Sequence, residues 1–78
     1  MDDFTKVQNM VATLFEAPLE SVTLQSSKDD FVLWDSLNHL NLIMEIESEF
    51  NVSIGIEEIA EIRTIQGIMD LLKRHRNK

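Results

Sequence analysis

The sequence predicts an all-α fold: a four-helix bundle with a short third helix and a long loop between helices one and two. Three observations carry this expectation. Apolar residues recur at spacings of three and four in three separate stretches, and no stretch alternates strongly enough to compete as a strand. Each of those stretches opens on Asp, Ser or Thr, the residue types that cap helix N-termini. The single proline, Pro18, falls between the first two.

Helix one is read from Phe4, Val7, Val11, Leu14 and Phe15, with Asp2 or Asp3 as cap. The residue before a proline is biased away from helical backbone, so the helix is expected to run to about Glu16 and stop at Ala17. From Pro18 to Asp35 no period survives. Leu19, Val22 and Leu24 are scattered apolar anchors, "LQSSKDD" is turn-like, and Phe31, Val32 and Leu33 are expected to return the chain to the core. Structureless loops longer than about 12–15 residues are uncommon in compact domains, so this one should be functional or pack down as a layer of its own.

Helix two is predicted from Ser36 to Phe50, with Asn51 as its stop. It carries two apolar rows. Leu42, Ile43, Ile46 and Phe50 suit a core face, and Leu37, Leu40 and Met44 form a second row beside it. A helix that is apolar on more than one side is deeply buried or shows one side to a partner, and so short a chain has little with which to bury it. Glu45, Glu47 and Glu49 mark wet surface. Ile56, Ile59 and Ile62 give a short third helix with Glu57, Glu58 and Glu61 outward. Thr64 caps a fourth, read from Ile65, Ile68, Met69 and Leu72. Gly67 inside it costs about 1 kcal/mol relative to Ala, which points to close packing against another helix.

The totals limit what such a chain can do. Its 78 residues, 44% hydrophobic, allow one small domain spanning residues 1–78. With no Cys there is no disulfide, no thiolate metal site and no Cys nucleophile. No apolar run approaches the ~18 residues of a membrane span, and the acidic start "MDDFTK" is unlike a secretory signal, so a soluble cytoplasmic protein is expected. Net charge is −7, with 13 acidic and 2 basic residues in 1–62 and 5 basic and 1 acidic from Arg63 onward. Phosphate repels such a body, which excludes nucleic acid as a natural partner, while basic protein surfaces would be drawn to it. The basic end "KRHRNK" suits the dipole of a helix C-terminus.

Candidates for chemistry are few. His39 and His75 are the only histidines. His39 follows Ser36 by almost one turn, so contact is possible, but no orienting group or Gly-rich oxyanion loop accompanies the pair. Asp29 and Asp30 lack the alternating ligands, central Gly and closing Glu of a calcium loop, and no metal site is expected. Ser36 remains. On its own it reads as an N-cap, with Asp35 completing the turn. Its position also places a hydroxyl beside unsatisfied helix N–H groups, where a phosphoryl-linked group is favoured. Leu37, Leu40 and Met44 then offer a modifying enzyme something to grip, and the glutamates add charge complementarity.

"DSL" heading a helix, followed by "LNLIMEIESEF" and "VSIGIEEIAEIRTIQGIMDLL", closely resembles the acyl carrier proteins over nearly the whole chain. The resemblance implies an acyl-carrier-like bundle with no catalytic residues. Ser36, flanked by Asp35 and Leu37, would carry 4′-phosphopantetheine transferred from coenzyme A by a phosphopantetheinyl transferase. Acyl groups would ride on the arm as thioesters. Leu37, Leu40, Met44 and Glu47 would form the docking face, extended by Glu57, Glu58 and Glu61. Acyl-activating, acyl-transferring or condensing enzymes with basic patches would be the partners of a monomeric carrier. Leu42, Ile46, Ile62 and Ile68 would help line a core able to enclose an acyl chain.

Two departures stand out. Leu33-Trp34 replaces the Gly and small residue usual before "DSL" in fatty-acid carriers, and Gly55 replaces a frequent Pro. "WDSL" is closer to stand-alone carriers of specialised bacterial pathways. A peptidyl or aminoacyl carrier usually has Gly-His before the Ser, which favours the acyl type. From a different class, an unmodified acidic adaptor binding a basic partner through helix two would show the same apolar row. Trp34 reads as an anchor for the end of the loop.

The clustered glutamates also repel one another. Moderate salt or divalent cations are therefore expected to raise the melting temperature by screening, and a value that stays flat from low to moderate ionic strength would count against that repulsion.

Overall fold

The computed structural model describes residues 2–76, without the side chain of Arg76, so Met1 and the Asn77 and Lys78 end of the basic tail lie outside the described residues. Four α-helices follow in order: α1 (Asp3–Leu14), α2 (Ser36–Phe50), α3 (Ile56–Glu61) and α4 (Ile65–Arg76). Two 3-10 turns, Leu19–Ser21 and Lys28–Asp30, lie in the connection between α1 and α2. Among the described residues there is no strand, only an isolated bridge between Ser27 and Thr64.

Local chemistry sets the helix ends. Asp2 Oδ1 accepts from the Thr5 N–H at 2.8 Å and caps α1. The helix ends two residues earlier than expected. Glu16 takes a left-handed backbone (φ 53°), and the Ala17 N–H turns back to the Ala12 carbonyl at 2.9 Å. Asn51 closes α2 in the same way (φ 55°), with the Val52 N–H reaching the Glu47 carbonyl. The Thr64 hydroxyl accepts from the Gly67 N–H at 2.9 Å and caps α4.

The apolar stripes meet where the spacing placed them. Val7, Val11 and Phe15 pack with Leu42, Ile43 and Ile46 of α2 and with Ile65, Ile68, Leu71 and Leu72 of α4. Phe50 is half-buried at the edge, its ring 5.8 Å from Lys6 Nζ. The long connection packs as a layer, sending Val22, Phe31 and Trp34 into the core. It is also stitched down by polar bonds. Gln8 Nε2 donates to the carbonyls of Leu19 and Val22. The N–H groups of Lys28, Ile65 and Gln66 reach the carbonyls of Arg63, Ser26 and Leu24. Buried Ser26 accepts from the Thr23 N–H and donates to the Ser21 carbonyl, which satisfies its hydroxyl.

Several expected positions differ. Val32 is 97% exposed, and Leu19 and Leu24 are exposed as well; Phe31 and Trp34 on either side of Val32 take the core places instead. On α3, Ile56 points outward at 85% exposure, while Ile54, just before the helix, fills the core. Gly67 does not press against another helix: a Cβ there would meet its own cap, Thr64 Oγ1, at 3.3 Å. Glu58 was expected outward but turns toward α4. Its Oε1 accepts from the Gly55 N–H at 3.2 Å, and its Oε2 lies 3.0 Å from His75 Nε2 and 3.9 Å from Arg74.

The Gly55 N–H, assisted by His75 and Arg74, holds the Glu58 carboxyl below its ordinary value despite partial burial. A depressed folded-state pKa contributes stability above the unfolded value, and that contribution fades as pH falls through the folded value. Glu58→Gln is therefore expected to lower the melting temperature at pH 7. The gap from the parent should narrow as pH drops below about 4.5, a trend that thermal melts from pH 7 to 3 would read.

Candidate functional site

The head of α2 is built from the connection inward. Trp34 is 3% exposed, stacked on Phe15 at 5.2 Å between centroids and flanked by Phe31 at 6.2 Å. His39 lies at the edge of the indole and nearly coplanar with it, with centroids 6.1 Å apart and a 20° angle between the ring planes. The indole N–H donates to His39 Nδ1 at 2.9 Å. An indole nitrogen can only donate, so Nδ1 is the acceptor and the ring proton sits on Nε2. That Nε2–H donates to the Ile59 carbonyl at 2.8 Å, near the end of α3. One neutral imidazole thus joins the loop end, α2 and α3. Its two nitrogens are both committed, and the suspected contact with Ser36 is not formed.

With Trp34 fixed, Asp35 takes extended backbone and caps α2, Oδ1 accepting from the Asn38 N–H at 2.9 Å. Asn38 Nδ2 returns to the Leu33 carbonyl at 2.8 Å. Ser36 is therefore the first residue of α2 and not its cap. It is exposed, and among the described residues no protein group bonds its hydroxyl. The neighbouring N–H groups at positions 36 and 37 belong to the first turn, where the helix itself supplies no acceptor.

Leu37 (69% exposed), Leu40 and Met44 project from α2 as the sequence row implied, and Ile56 on α3 is exposed as well. Glu57 and Glu61 are exposed. Glu47 is half-buried, with Oε2 accepting from the Ile54 N–H at 2.8 Å, so it fastens the α2–α3 link. Glu58 is held as described above. Leu42, Ile46, Ile62 and Ile68 lie together in the packed core, at most 4% exposed. Beside Ser36 runs an open groove of about 640 Å³, with Lys28, Asp29, His39, Leu40, Arg63 and Thr64 among its lining. Among the described residues no cluster of three or more His, Cys, Asp or Glu could hold a metal ion, and no helix is long and apolar enough to cross a membrane.

The sequence missed the outward Ile56 and Val32 and the bridging role of His39. The only signal for the bridge was a Trp just before the helix and a His one turn in. Nothing local names Ile59 as the second partner.

The model of the phosphopantetheine attachment site family matches residues 5–72. The chain belongs to the acyl carrier protein family. An acyl carrier protein of Petrotoga mobilis is 35% identical over 74 residues, covering 95% of this chain and 87% of the relative. One from Phaeodactylum tricornutum is 32% identical over 74 residues, with 95% and 97% covered, and one from Thermosynechococcus vestitus is 34% identical over 67, with 86% and 83% covered. The prosthetic group of this carrier family, 4′-phosphopantetheine, supplies a thiol that holds acyl groups as thioesters. An exposed, unbonded hydroxyl beside an open groove fits such a group, whereas a hydroxyl engaged in capping would not.

Trp34→Phe keeps most of the stack on Phe15 but removes the donor to His39 Nδ1. It is expected to cost the carrier about 1–3 kcal/mol, combining a lost hydrogen bond with an imperfect fit, whereas Val32→Ser should stay within about 0.5 kcal/mol. Urea unfolding of both variants reads the difference.

Proposed function

We propose that Ser36 is the attachment residue and that the chain, as one carrier domain, presents acyl groups to other enzymes and catalyses nothing itself. The observation that carries this reading is the free, exposed hydroxyl of Ser36 at the first position of α2. In the loading step, Ser36 Oγ forms a phosphodiester bond as the pyrophosphate bond of coenzyme A breaks. Adenosine 3′,5′-bisphosphate leaves, and the hydroxyl proton passes to a base on the transferase. Asp35 fixes the backbone of the serine, and Leu37 stands beside it as a foothold.

The docking face we assign is Leu37, Leu40 and Met44, with Ile56, Glu57 and Glu61 from α3. Apolar contacts of this kind supply affinity, while the acidic rim speeds encounter with basic patches on the transferase and on acyl-activating, acyl-transferring or condensing enzymes. Glu47 and Glu58 contribute negative potential to that face while serving the fold. The Leu33-Trp34 pair before "DSL" favours a specialised pathway in the cytoplasm over the housekeeping one. Tethering raises the effective concentration of cargo at each docked enzyme, a gain that needs no active site on the carrier.

Intact mass before and after incubation with coenzyme A, Mg²⁺ and a broad-specificity phosphopantetheinyl transferase tests this directly. One phosphopantetheine increment is expected on the parent and none on Ser36→Ala. The variant should unfold within about 0.5 kcal/mol of the parent, because Asp35 holds the cap. No increment on folded parent protein with several transferases would favour the unmodified adaptor, whose case rests on the same exposed apolar row.

A further inference from the structure

His39 joins the loop end, α2 and α3 through both ring nitrogens, and that bridge holds a single proton. Nδ1 accepts the indole N–H of Trp34 at 2.9 Å, and Nε2 donates to the Ile59 carbonyl at 2.8 Å. A protonated imidazole donates from both nitrogens. Its Nδ1–H would face the indole N–H, donor against donor, across the same 2.9 Å. Turning the ring over gives no relief, because the other nitrogen is then a donor as well. The closed bridge takes one ring proton and the parted bridge takes two, so falling pH favours parting. Imidazole is the side chain whose charge ordinarily changes between about pH 5 and 8.

The surroundings give the second proton access but no partner. His39 is half-buried and lines the open groove beside Ser36. The charged groups on that groove are Lys28 and Asp29 from the second 3-10 turn and Arg63 from the α3–α4 link, two cations against one carboxylate. From α3 come Ala60 and the Ile59 carbonyl, and from α1 Phe15 packs behind the indole. On α2 itself Asp35 lies one turn back, its Oδ1 engaged with the Asn38 N–H. Among the described residues no carboxylate forms an ion pair with His39. The indole is 3% exposed and held by Phe15 and Phe31, so the imidazole is the part that gives way. Its other partner is the weakest helix, six residues long. The Ile59 carbonyl also accepts from the Ile62 N–H at 3.3 Å, so it keeps a donor when the imidazole leaves.

His75, the other histidine, acts with the opposite sign. Its Nε2 lies 3.0 Å from Glu58 Oε2 on α3, with Arg74 3.9 Å from the same oxygen. The Gly55 N–H helps to hold the Glu58 carboxyl low, so it stays charged through the imidazole range, and a protonated His75 gains attraction there. Acid therefore tightens α3 on α4 and loosens it from α2.

We propose that His39 is a proton-sensitive latch on α3. Uptake of a second ring proton drives the imidazole from the indole and displaces the end of α3 from α2. On the reading that α2 and α3 form the docking face, this moves Glu57 and Glu61 relative to Leu37, Leu40 and Met44 and weakens partner docking in acid.

NMR of the unmodified chain from about pH 8 to 5 tests the latch. Imidazole nitrogen shifts follow the His39 proton, and Trp34, the single tryptophan, supplies one unambiguous indole N–H signal. The indole signal is expected to move in step with His39. Protection of the Ile59, Ala60 and Ile62 amides against exchange should fall about fivefold, as for the loss of one hydrogen bond. Both changes should vanish in His39→Gln. In Trp34→Phe no donor opposes Nδ1, so His39 should still take up its proton while the end of α3 stays protected. An indole and α3 that ignore the His39 proton would overturn the latch, as would a His39 that stays neutral to pH 5. The same loosening in folded His39→Gln would also overturn it and assign the effect to other groups. Should both variants fail to fold, the residue-by-residue titration of the parent still decides. For docking, the loading rate by the transferase relative to His39→Gln is expected to drop between pH 7.5 and 6, a ratio that cancels the transferase's own pH profile. A constant ratio overturns the docking consequence. A folded chain that gains no mass at any pH overturns the attachment reading, while the NMR titration judges the latch independently.

Discussion

The indole N–H of Trp34 and the imidazole of His39 set the geometry on which the head of α2 depends. The aromatic row Phe15–Trp34–His39 runs from the end of α1 through the loop end into α2. The hydrogen bonds continue it, from Trp34 to His39 Nδ1 and from His39 Nε2 to the Ile59 carbonyl. Stacking on Phe15 fixes the plane of the indole, and the two bonds fix the rotation and the tautomer of the imidazole. Three helices are therefore referred to one buried aromatic row. Once Trp34 has no freedom, Asp35 follows it in extended backbone, and α2 can start at only one residue. A functional group held by elements locked in this way is more precise than one carried on a free loop.

The acidic residues divide into two populations that composition alone lumps together. Glu47 and Glu58 each accept a backbone N–H from the start of α3 or the link before it, from Ile54 and Gly55. A helix as short as α3 has little intrinsic stability, so these carboxylates act as its fastenings. Glu45, Glu49, Glu57 and Glu61 stay exposed. The same net charge thus holds α3 in place and colours the surface that surrounds the apolar row. The fold does not have to choose between solubility and attachment of its weakest helix.

Most of the helical frame was legible in the sequence, because its signals are local. Both ends of α2 were read from Asp35-Ser36 and Asn51, where a cap and a left-handed stop leave their mark within a few residues. Leu37, Leu40 and Met44 were read as exposed because a small core cannot cover two rows of one helix. The loop was less legible. Period decides which side chain faces inward only where backbone is regular, and Val32 sits between Phe31 and Trp34 with no period to place it. Ile56 was assigned inward by spacing from Ile59, yet Ile54, outside the helix, had already filled that part of the core. Glu58 turned inward because its partner His75 lies 17 residues away on α4, beyond the reach of any local pattern. Gly67 misled for the opposite reason: its neighbour was the cap of its own helix.

The Asp-Ser pair at positions 35 and 36 makes physical sense as a division of labour. A helix start needs an oxygen to accept from the third N–H, and a serine can provide it. A serine that does so has its hydroxyl turned toward the backbone and engaged. Placing Asp at the cap satisfies Asn38 and moves the serine one residue into the helix, where its side chain projects to solvent and bonds nothing among the described residues. Trp34 is what prevents the chain from slipping by one residue and restoring serine to the cap, since a slip would pull the indole from its stack and leave His39 Nδ1 without a donor. The bulky residue before the pair and the free hydroxyl within it are two halves of one arrangement: burial on one side leaves the hydroxyl exposed on the other.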